Sequence, residues 1–350
     1  MGAGPPARRA GATVSSVPTL SVVVPTFQRC ASVNRLLVAL SHQTLSATQY
    51  EVVVSIDGST DGTREMASVF RAPFDLRVLW QPNGGRAGAC NAGVRVSRGP
   101  IVVLLDDDME PCPSFLAAHL EEHALGRRRG VLGAVPIHVD ADSSPVVRFV
   151  GTKFNRHLKR LAEPGREIGI RNFYSGNFSI PRDVFLGTGG FDESFRIYGN
   201  EDVDLAARLL TAGVELGYSE AAAAIQHYEK DFMALARDHI AKGKTAVLCA
   251  SKRPEWVARM RLGNFRRRSR KWWLARAALL AVSDHSGRVP AALMRLIQWS
   301  ERRWPGGLLR YYPFVLDYFF WFGARSELRV EGMASLKAII YERTSGQPSV

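Results

Sequence analysis

Three aspartates stand in a row, Asp106-Asp107-Asp108, directly after the apolar run Ile101-Val-Val-Leu-Leu105. Carboxylates this close raise one another's pKa, so holding them together without a counter-ion is costly. A divalent cation removes that cost and gains the hard oxygen ligands that it prefers. The triplet therefore favours a metal site, although a solvated acidic turn or an N-cap for a helix from Pro113 would also account for it.

Two other segments could bind parts of a nucleotide. Asp57 follows the run Tyr50–Ile56 and could accept a hydrogen bond from a base or a ribose. For this residue alone, an Asx turn with Gly58 is the simpler interpretation. The segment Asn83-Gly-Gly-Arg86 opens a predicted helix, where free N–H groups and a guanidinium suit a phosphate. A glycine-rich turn is a weak signal by itself, so neither segment identifies a ligand without its neighbours.

Two further acids and one histidine complete the set of candidate side chains. Glu201 and Asp202 begin a predicted helix, where carboxylates stabilise the helix dipole in any case. An aspartate on the same sheet edge could also act as a general base toward a hydroxyl nucleophile. His227 follows a short apolar run, and a lone histidine is more often a core or surface residue than a ligand. It gains interest because a metal bound by carboxylates often recruits one imidazole.

The order of the predicted elements indicates how these residues could meet. Apolar, β-branched runs alternate with amphipathic segments between residues 20 and 140, which predicts parallel strands joined by right-handed helical crossovers. The predicted strands are 20–25, 50–56, 76–80 and 101–105, and the predicted helices between them are 31–41, 61–70 and 87–96. Ligands bind at the carboxyl ends of such strands. We therefore expect one sheet edge to be lined by the following segments: 25–27, 57–59, 83–86 and 106–108.

Composition and charge limit the kind of protein this can be. The 350 residues are 46% apolar and 23% charged, as in ordinary globular proteins, and the four cysteines lack any CxxC spacing. That cysteine usage favours a reducing cytosol. The N-terminus lacks the apolar segment of a secretory signal, and Arg276 and Asp317 interrupt the two longest apolar candidates for a spanning helix. We expect a cytoplasmic protein with a disordered tail over residues 1–18.

Five motifs carry a resemblance to a known family. They are Val22-Val-Val-Pro-Thr-Phe-Gln-Arg29, Ser55-Ile-Asp-Gly-Ser-Thr-Asp-Gly62, Leu104-Leu-Asp-Asp-Asp108, Gly189-Gly-Phe-Asp-Glu193 and Tyr198-Gly-Asn-Glu-Asp-Val-Asp-Leu205. In this order the motifs resemble the family 2 glycosyltransferases of GT-A fold. The resemblance implies an α/β fold with a Rossmann-like, mostly parallel sheet flanked by helices. It implies a GT-A catalytic domain over residues 19–230, followed by a helical, basic and aromatic C-terminal region over residues 231–350.

The resemblance also assigns residues to the sugar donor and its metal. Pro25, Thr26 and Asp57 would hold the nucleoside, with Asp57 facing the base. Asp106 would touch the ribose, and Asp108 would ligate Mg²⁺ or Mn²⁺ together with His227. The remaining donor-side residues by resemblance are Asp107, Arg86, Gly176 and Asn177; Arg86 would lie near the nucleotide, and Gly176 and Asn177 would border the sugar.

On the acceptor side, the resemblance implies an inverting displacement. Tyr198 would stack on the acceptor with Glu201 beside it, and Asp202 would take the proton of the acceptor hydroxyl. The oxygen would then attack the anomeric carbon of a UDP- or dTDP-type sugar while the metal neutralises the departing diphosphate. Spanning helices and the Gln-x-x-Arg-Trp motif of the processive members are both missing from this sequence. We therefore expect single or few additions to a small molecule or a lipid-linked glycan.

The C-terminal region carries much of the net charge of +13. Between Lys252 and Arg276 there are ten basic residues against the single acid Glu255, with Trp272 and Trp273 at the end of the run. Basic and aromatic residues on helices suit an anionic membrane surface. A helical subdomain with solvated arginines is an equally good interpretation. Nucleic acid is not expected as a partner, because no helix-turn-helix or RNA-binding signature accompanies the charge.

Two alternative functions remain open from the sequence. A catalytically idle protein of the same fold could bind a partner or a membrane through the basic region, although the intact Asp106, Asp108 and Asp202 argue against idleness. A nucleotidyltransferase would share the sheet and the metal carboxylates. It would usually carry a glycine-rich loop with a basic residue after the first strand, where this chain has Pro25-Thr-Phe-Gln-Arg29.

Overall fold

The computed structural model describes residues 17–126, 128–264, 269–304, 307, 309–330 and 333–342. The expected disordered tail falls almost wholly outside these residues. The strands are β1 (Leu20–Thr26), β2 (Tyr50–Asp57), β3 (Asp75–Gln81), β4 (Ile101–Leu105), β5 (Met109–Pro111), β6 (Arg129–Gly133), β7 (Asn177–Pro181), β8 (Glu215–Ser219) and β9 (Ala224–Gln226). The α-helices are α1 (Cys30–Leu40), α2 (Thr63–Val69), α3 (Arg86–Val96), α4 (Phe115–His123), α5 (Pro145–Leu161), α6 (Arg182–Gly187), α7 (Glu201–Thr211), α8 (Phe232–Lys252), α9 (Arg270–His285), α10 (Val289–Arg303), α11 (Tyr312–Leu328) and α12 (Ala334–Glu342).

Seven strands form the central sheet in the order β3-β2-β1-β4-β7-β6-β8. The pairs β1–β2, β2–β3, β1–β4 and β6–β8 are parallel, whereas β7 runs antiparallel to both β4 and β6. Strands β5 and β9 form a separate antiparallel ribbon beyond the end of β4. The mostly parallel sheet with flanking helices confirms the predicted fold class. The antiparallel β7 was not predicted, since an apolar pattern carries no information on strand direction.

Both faces of the sheet are covered, which explains why its central strands are apolar without alternation. Every residue of β1 and β2 is buried. Val23 and Val53 belong to the core on one face, whereas Val22 and Val52 belong to the core on the other. Helix α3 approaches the first face closely because Gly93 has no side chain to meet Val23. The sheet edge that carries the loops after β1, β2, β3 and β4 is thereby held rigidly.

The predicted helical C-terminal region is present, as helices α8 to α12. Helices α8 and α11 cross at two glycines, Gly243 and Gly323, where a side chain on either residue would clash with the backbone of the other helix. The two charges that interrupt the longest apolar segments pair with each other. The guanidinium of Arg276, 1% exposed, donates to Asp317 at 2.7 Å, and Arg261 binds the same carboxylate at 3.1 Å. Within the described ranges, no helix is long and apolar enough to span a bilayer.

Some residues of the basic run between Lys252 and Arg276 form ion pairs within the protein. Lys252 pairs with Asp192 at 2.5 Å and Arg253 with Asp204 at 3.2 Å, which ties the end of α8 to α7 and to the segment before it. Residues 266–268 of the run lie outside the described residues. The paired members support the interpretation of a helical subdomain packed on the core.

Candidate active site

Asp106 is fixed by an arginine and a glycine at the end of β4. Its carboxylate accepts from Nε of Arg86 at 3.0 Å and from Nη2 at 2.7 Å, and its backbone N–H donates to the carbonyl of Gly176 at 2.9 Å. A Cβ on Gly176 would lie 2.5 Å from Oδ2 of Asp106. Glycine is therefore required at position 176 for the carboxylate to occupy this place.

The second aspartate faces β1. Oδ2 of Asp107 accepts from the hydroxyl of Thr26 at 2.7 Å, and Arg29 lies 3.7 Å from Oδ1. Burial raises the pKa of Asp107 to about 7, against the lowering effect of Arg29. Thr26 and Asp107 therefore join two of the four strand ends that we expected to meet at one edge. Pro25, buried within β1, lies directly behind them.

Asp108 has a carboxylate oxygen that the protein leaves unsatisfied. Oδ2 accepts from Gln226 at 3.2 Å and lies 3.6 Å from Arg29, but Oδ1 is buried with no hydrogen-bond partner among the described residues. Burial, followed by the charge of Asp106, raises the pKa of Asp108. An unsatisfied buried carboxylate oxygen is costly and calls for a cationic ligand. The chemistry of Asp108 therefore fits a divalent cation.

His227 is brought beside Asp108 by the pairing of β5 with β9. Its backbone N–H donates to the carbonyl of Asp108 at 2.9 Å, while Nε2 of its ring lies 2.6 Å from Oε2 of Glu110. Across the described ranges, no three His, Cys, Asp or Glu side chains are arranged to hold a metal ion. The contact with Glu110 engages only Nε2, so the other ring nitrogen of His227 could still ligate a metal held by Asp108.

Asp202 lies at the start of α7 and is connected to Asp106 through Arg86. The hydroxyl of Ser175 donates to Oδ1 of Asp202, and Nη1 of Arg86 donates to the same hydroxyl at 3.0 Å. Nη1 of Arg86 also lies 3.8 Å from Oδ1 of Asp202 and 3.9 Å from Oε1 of Glu201. One guanidinium therefore joins three carboxylates from β4 and α7. Ser175 was not singled out from the sequence, because its role depends on a contact across the fold.

The two acids at the start of α7 are less acidic than usual. Burial raises the pKa of Asp202, with Arg86 opposing the rise. Burial, followed by the charge of Asp202, raises the pKa of Glu201 to about 7. Glu201 is 5% exposed, and its Oε2 has no partner within the described part of the chain. A carboxylate destabilised in this way is a stronger base, which is what proton abstraction from a hydroxyl requires.

Asp57 has a different local environment from the one we expected. Its two carboxylate oxygens accept from the backbone N–H groups of Gly84 and Gly85, both at 2.8 Å, and from Gln81 at 2.9 Å. These two N–H groups are therefore engaged by Asp57, and a phosphate contact of residues 83–86 stays a prediction. The cause is geometric, since the ends of β2 and β3 are adjacent and the short glycine-rich loop folds over the carboxylate. A contact of Asp57 with a base stays a prediction.

Asn177 has a buried side chain at the start of β7, 0% exposed. The amide donates to the carbonyls of Ala134 and Ala222 at 3.1 and 2.9 Å, and its oxygen lies 2.9 Å from Nε2 of His119. The side chain is therefore engaged by the protein itself. A place for Asn177 beside the donor sugar stays a prediction.

A cavity of about 810 Å³ brings several expected residues together. The predicted site residues that line it are Asp106, Gly176, Tyr198, Glu201 and Asp202. The residue Tyr198 is 47% exposed, and the ammonium groups of Lys230 and Lys242 lie 4.6 and 5.0 Å from the centroid of its ring. The cavity thus brings Asp106, Asp202 and the aromatic side chain of Tyr198 together.

The order of these elements agrees with a family model. Residues 21–187 match the model described as glycosyl transferase family 2, and residues 156–231 match one described as the N-terminal domain of galactosyltransferase. Residues 21–187 therefore form a glycosyltransferase family 2 domain. The resemblance drawn from the five sequence motifs is therefore confirmed. The first match includes the aspartate triplet, and the second includes Glu201, Asp202 and His227.

Relatives and solved structures agree with this membership. Validoxylamine A glucosyltransferase of Streptomyces hygroscopicus subsp. jinggangensis (strain 5008) is 32% identical over 238 residues, covering 60% of this chain and 55% of that protein. The chain spans about half the length of the curated relatives it matches.

Two solved structures show that this chain has the GT-A fold. The mannosyltransferase PcManGT from Pyrobaculum calidifontis, in complex with GDP-Man and Mn²⁺, is 21% identical with a TM-score of 0.61, covering 90% of this chain and 88% of that one. S. aureus TarS 1-349, in complex with UDP-GlcNAc, is 16% identical with a TM-score of 0.50, covering 88% of this chain and 91% of that one.

Proposed function

We propose that the chain is a metal-dependent, inverting glycosyltransferase that moves a sugar from a nucleotide diphosphate sugar to a hydroxyl acceptor without processive extension. The observation that carries this proposal is the Arg86 bridge between Asp106 and Asp202. It holds the residue expected at the donor ribose and the residue expected to act as base at fixed positions on one cavity wall. Family membership supplies the reaction class, and the bridge supplies a geometry suited to it.

The chain's own residues account for the proton transfer. Asp202 accepts the proton of the acceptor hydroxyl as the oxygen bonds to the anomeric carbon, and the bond from that carbon to the donor diphosphate breaks. Ser175 and Arg86 orient the Asp202 carboxylate by binding its Oδ1 side, so one oxygen stays available for the acceptor. Tyr198 lines the same cavity as Asp202 and is the aromatic residue that we propose to contact the acceptor. Attack from the face opposite the leaving group inverts the anomeric configuration.

Asp108, with its unsatisfied Oδ1, is the residue that we propose to hold Mg²⁺ or Mn²⁺, and His227 is the further candidate ligand. When bound, the cation neutralises the negative charge of the departing diphosphate. The structural neighbour crystallised with Mn²⁺ supports a divalent metal. UDP- or dTDP-sugars are the proposed donors. The neighbours' GDP-Man and UDP-GlcNAc are the reason to test guanosine donors as well.

The C-terminal region admits a second role, as a peripheral attachment to an anionic membrane. Trp299 and Trp304 of the α10 end are each 57% exposed and pack edge to face, which is the kind of aromatic surface that membrane interfaces favour. Lys252 and Arg253 instead pair with Asp192 and Asp204 of the N-terminal unit, and Arg276 pairs with Asp317 inside the helical region. These ion pairs favour a helical subdomain packed on the rest of the protein. The boundaries of the proposed units stay at 19–230 for the catalytic domain and 231–350 for the helical region.

The proposal is tested by measuring thermal stability against a panel of UDP-, dTDP- and GDP-sugars, with and without Mn²⁺. We expect one donor to raise the melting temperature only when the metal is present, because a ligand that binds the folded state stabilises it by mass action. Slow release of the nucleoside diphosphate from the same donor should accompany the shift. A folded sample that responds to no donor would instead favour the catalytically idle binding protein.

A further inference from the structure

Helix α5 presents a basic face to the cavity that the proposed transfer does not use. Lys153, Arg156, His157 and Arg160 follow one another at i, i+3, i+4 and i+7, so they share one face of the helix. All four line the same cavity as Asp202. On the opposite side of the helix, Gly151 and Leu158 are buried. The orientation of α5 is therefore fixed by packing, and its cations are aimed into the cavity as a consequence.

The positive charge of this face is not neutralised by the cavity's own acids. Asp106 is paired with Arg86, and Asp238 is paired with Lys230 at 2.5 Å. The guanidinium groups of Arg156 and Arg160 have no hydrogen-bond or ion-pair partner within the described ranges. The cavity thus carries carboxylates at the start of α7 and positively charged guanidinium groups on α5.

A further cation adds to the basic end of the cavity. The guanidinium of Arg171, another lining residue, is held by the backbone carbonyls of Arg259 at 2.5 Å and Ala258 at 3.0 Å. The pKa of His157 is lowered, by burial first and then by Arg160 and other cations nearby, as expected where positive charges gather.

We propose that the acceptor carries a phosphate group, bound by Arg156 and Arg160 while its hydroxyl lies at Asp202. This inference rests on the proposed function. Two guanidinium groups one helical turn apart can each bind phosphate oxygens by charge-assisted hydrogen bonds, and a phosphate monoester carries nearly two negative charges to match them. The cavity also has an apolar wall that includes Phe149, Val150 and Phe154. Both a soluble sugar phosphate and a lipid phosphate therefore have the required chemistry.

The test is calorimetric titration of inorganic phosphate into the full chain, alone and saturated with Mg²⁺ and the nucleoside diphosphate of the donor found in the panel. Saturation blocks the donor site, so remaining phosphate binding reports the basic face. We expect the double variant Arg156→Ala/Arg160→Ala to bind phosphate at least about tenfold more weakly, with unchanged affinity for the nucleoside diphosphate. The matched control is Arg148→Ala/Lys159→Ala, which removes two exposed cations of α5 outside the cavity and should bind phosphate like the wild type.

Three outcomes separate the possibilities. Equal phosphate binding by both double variants, or no phosphate binding at all, would overturn the inference while leaving the proposed function intact. Weaker nucleoside diphosphate binding by Arg156→Ala/Arg160→Ala would assign the basic face to the donor and would also overturn it. Failure of the wild type to bind any nucleoside diphosphate counts against the proposed function itself.

Where phosphate does bind, tighter binding of geranyl phosphate points to a lipid source, and tighter binding of glucose 1-phosphate to a soluble one.

Discussion

The Asp202→Asn variant should lose about 10²- to 10⁴-fold in kcat while binding the donor with nearly wild-type affinity, because a general base contributes to the chemical step alone. The substitution keeps the size of the side chain and an oxygen that can accept from Ser175, so the local geometry should survive. What it removes is the ability to take a proton from the acceptor hydroxyl. Steady-state transfer with the donor identified in the panel, combined with equilibrium donor binding, measures both quantities.

The pH profile gives the same prediction an independent readout. Burial raises the pKa of Asp202 above the ordinary value of an aspartate, with Arg86 opposing the rise. Because the base acts as the carboxylate, kcat should fall as the pH drops through this raised pKa and should be fully present above it. In Asp202→Asn this acid limb should disappear. A variant that keeps its kcat and loses only donor affinity would show that Asp202 is a binding residue and that the base lies elsewhere.

The Asp108→Ala variant should lose at least about 10²-fold in metal-dependent turnover, since a cation at the leaving diphosphate stabilises the transition state by several kcal/mol. The fold should remain intact, because the carboxylate makes one hydrogen bond, to Gln226, and one long ion pair, to Arg29. Removing a buried oxygen that has no partner among the described residues does not cost a hydrogen bond. Mn²⁺ binding in the presence of the nucleoside diphosphate, followed by electron paramagnetic resonance, should weaken in parallel with turnover.

The control for this experiment is Asp183→Ala, which removes an exposed aspartate in the first turn of α6, outside the cavity. It should match the wild type in Mn²⁺ binding and in turnover. An Asp108→Ala protein with full metal-dependent activity would contradict the assignment of Asp108 as the metal ligand. His227 and Glu110 would then be the next residues to test. Melting temperatures of all three proteins exclude unfolding as the cause of any loss.

The sequence predicts the half of the fold in which burial alone dictates the pattern. Strands β1, β2 and β4 are covered on both faces, so they read as continuous apolar runs, and their parallel order follows from the helices between them. Ion pairs between distant segments leave no such pattern. Arg276 and Asp317 interrupt two apolar segments, and only the packing of α9 against α11 reveals that each charge cancels the other.

The site was predictable where residue type and strand end coincide. Asp106, Asp107 and Asp108 follow a buried strand, and Asp202 follows a helix start, so their gathering could be expected. The hydrogen bonds inside the site could not be foreseen. Asp57 is engaged by Gly84 and Gly85 because β2 and β3 end side by side, and the buried Asn177 belongs to an antiparallel strand whose direction the sequence does not encode. Motif position indicates which residues gather, whereas side-chain contacts decide which of them can meet a ligand.

The most direct test of the account is the anomeric configuration of the sugar released when the enzyme turns over the donor identified in the panel. Proton NMR spectra recorded before mutarotation distinguish the two anomers of the free sugar. A single displacement assisted by Asp202 predicts that the first product has the configuration opposite to that of the donor, for water as for any hydroxyl acceptor. A first product with the donor's own configuration would contradict the inverting mechanism and the role of Asp202 as its general base.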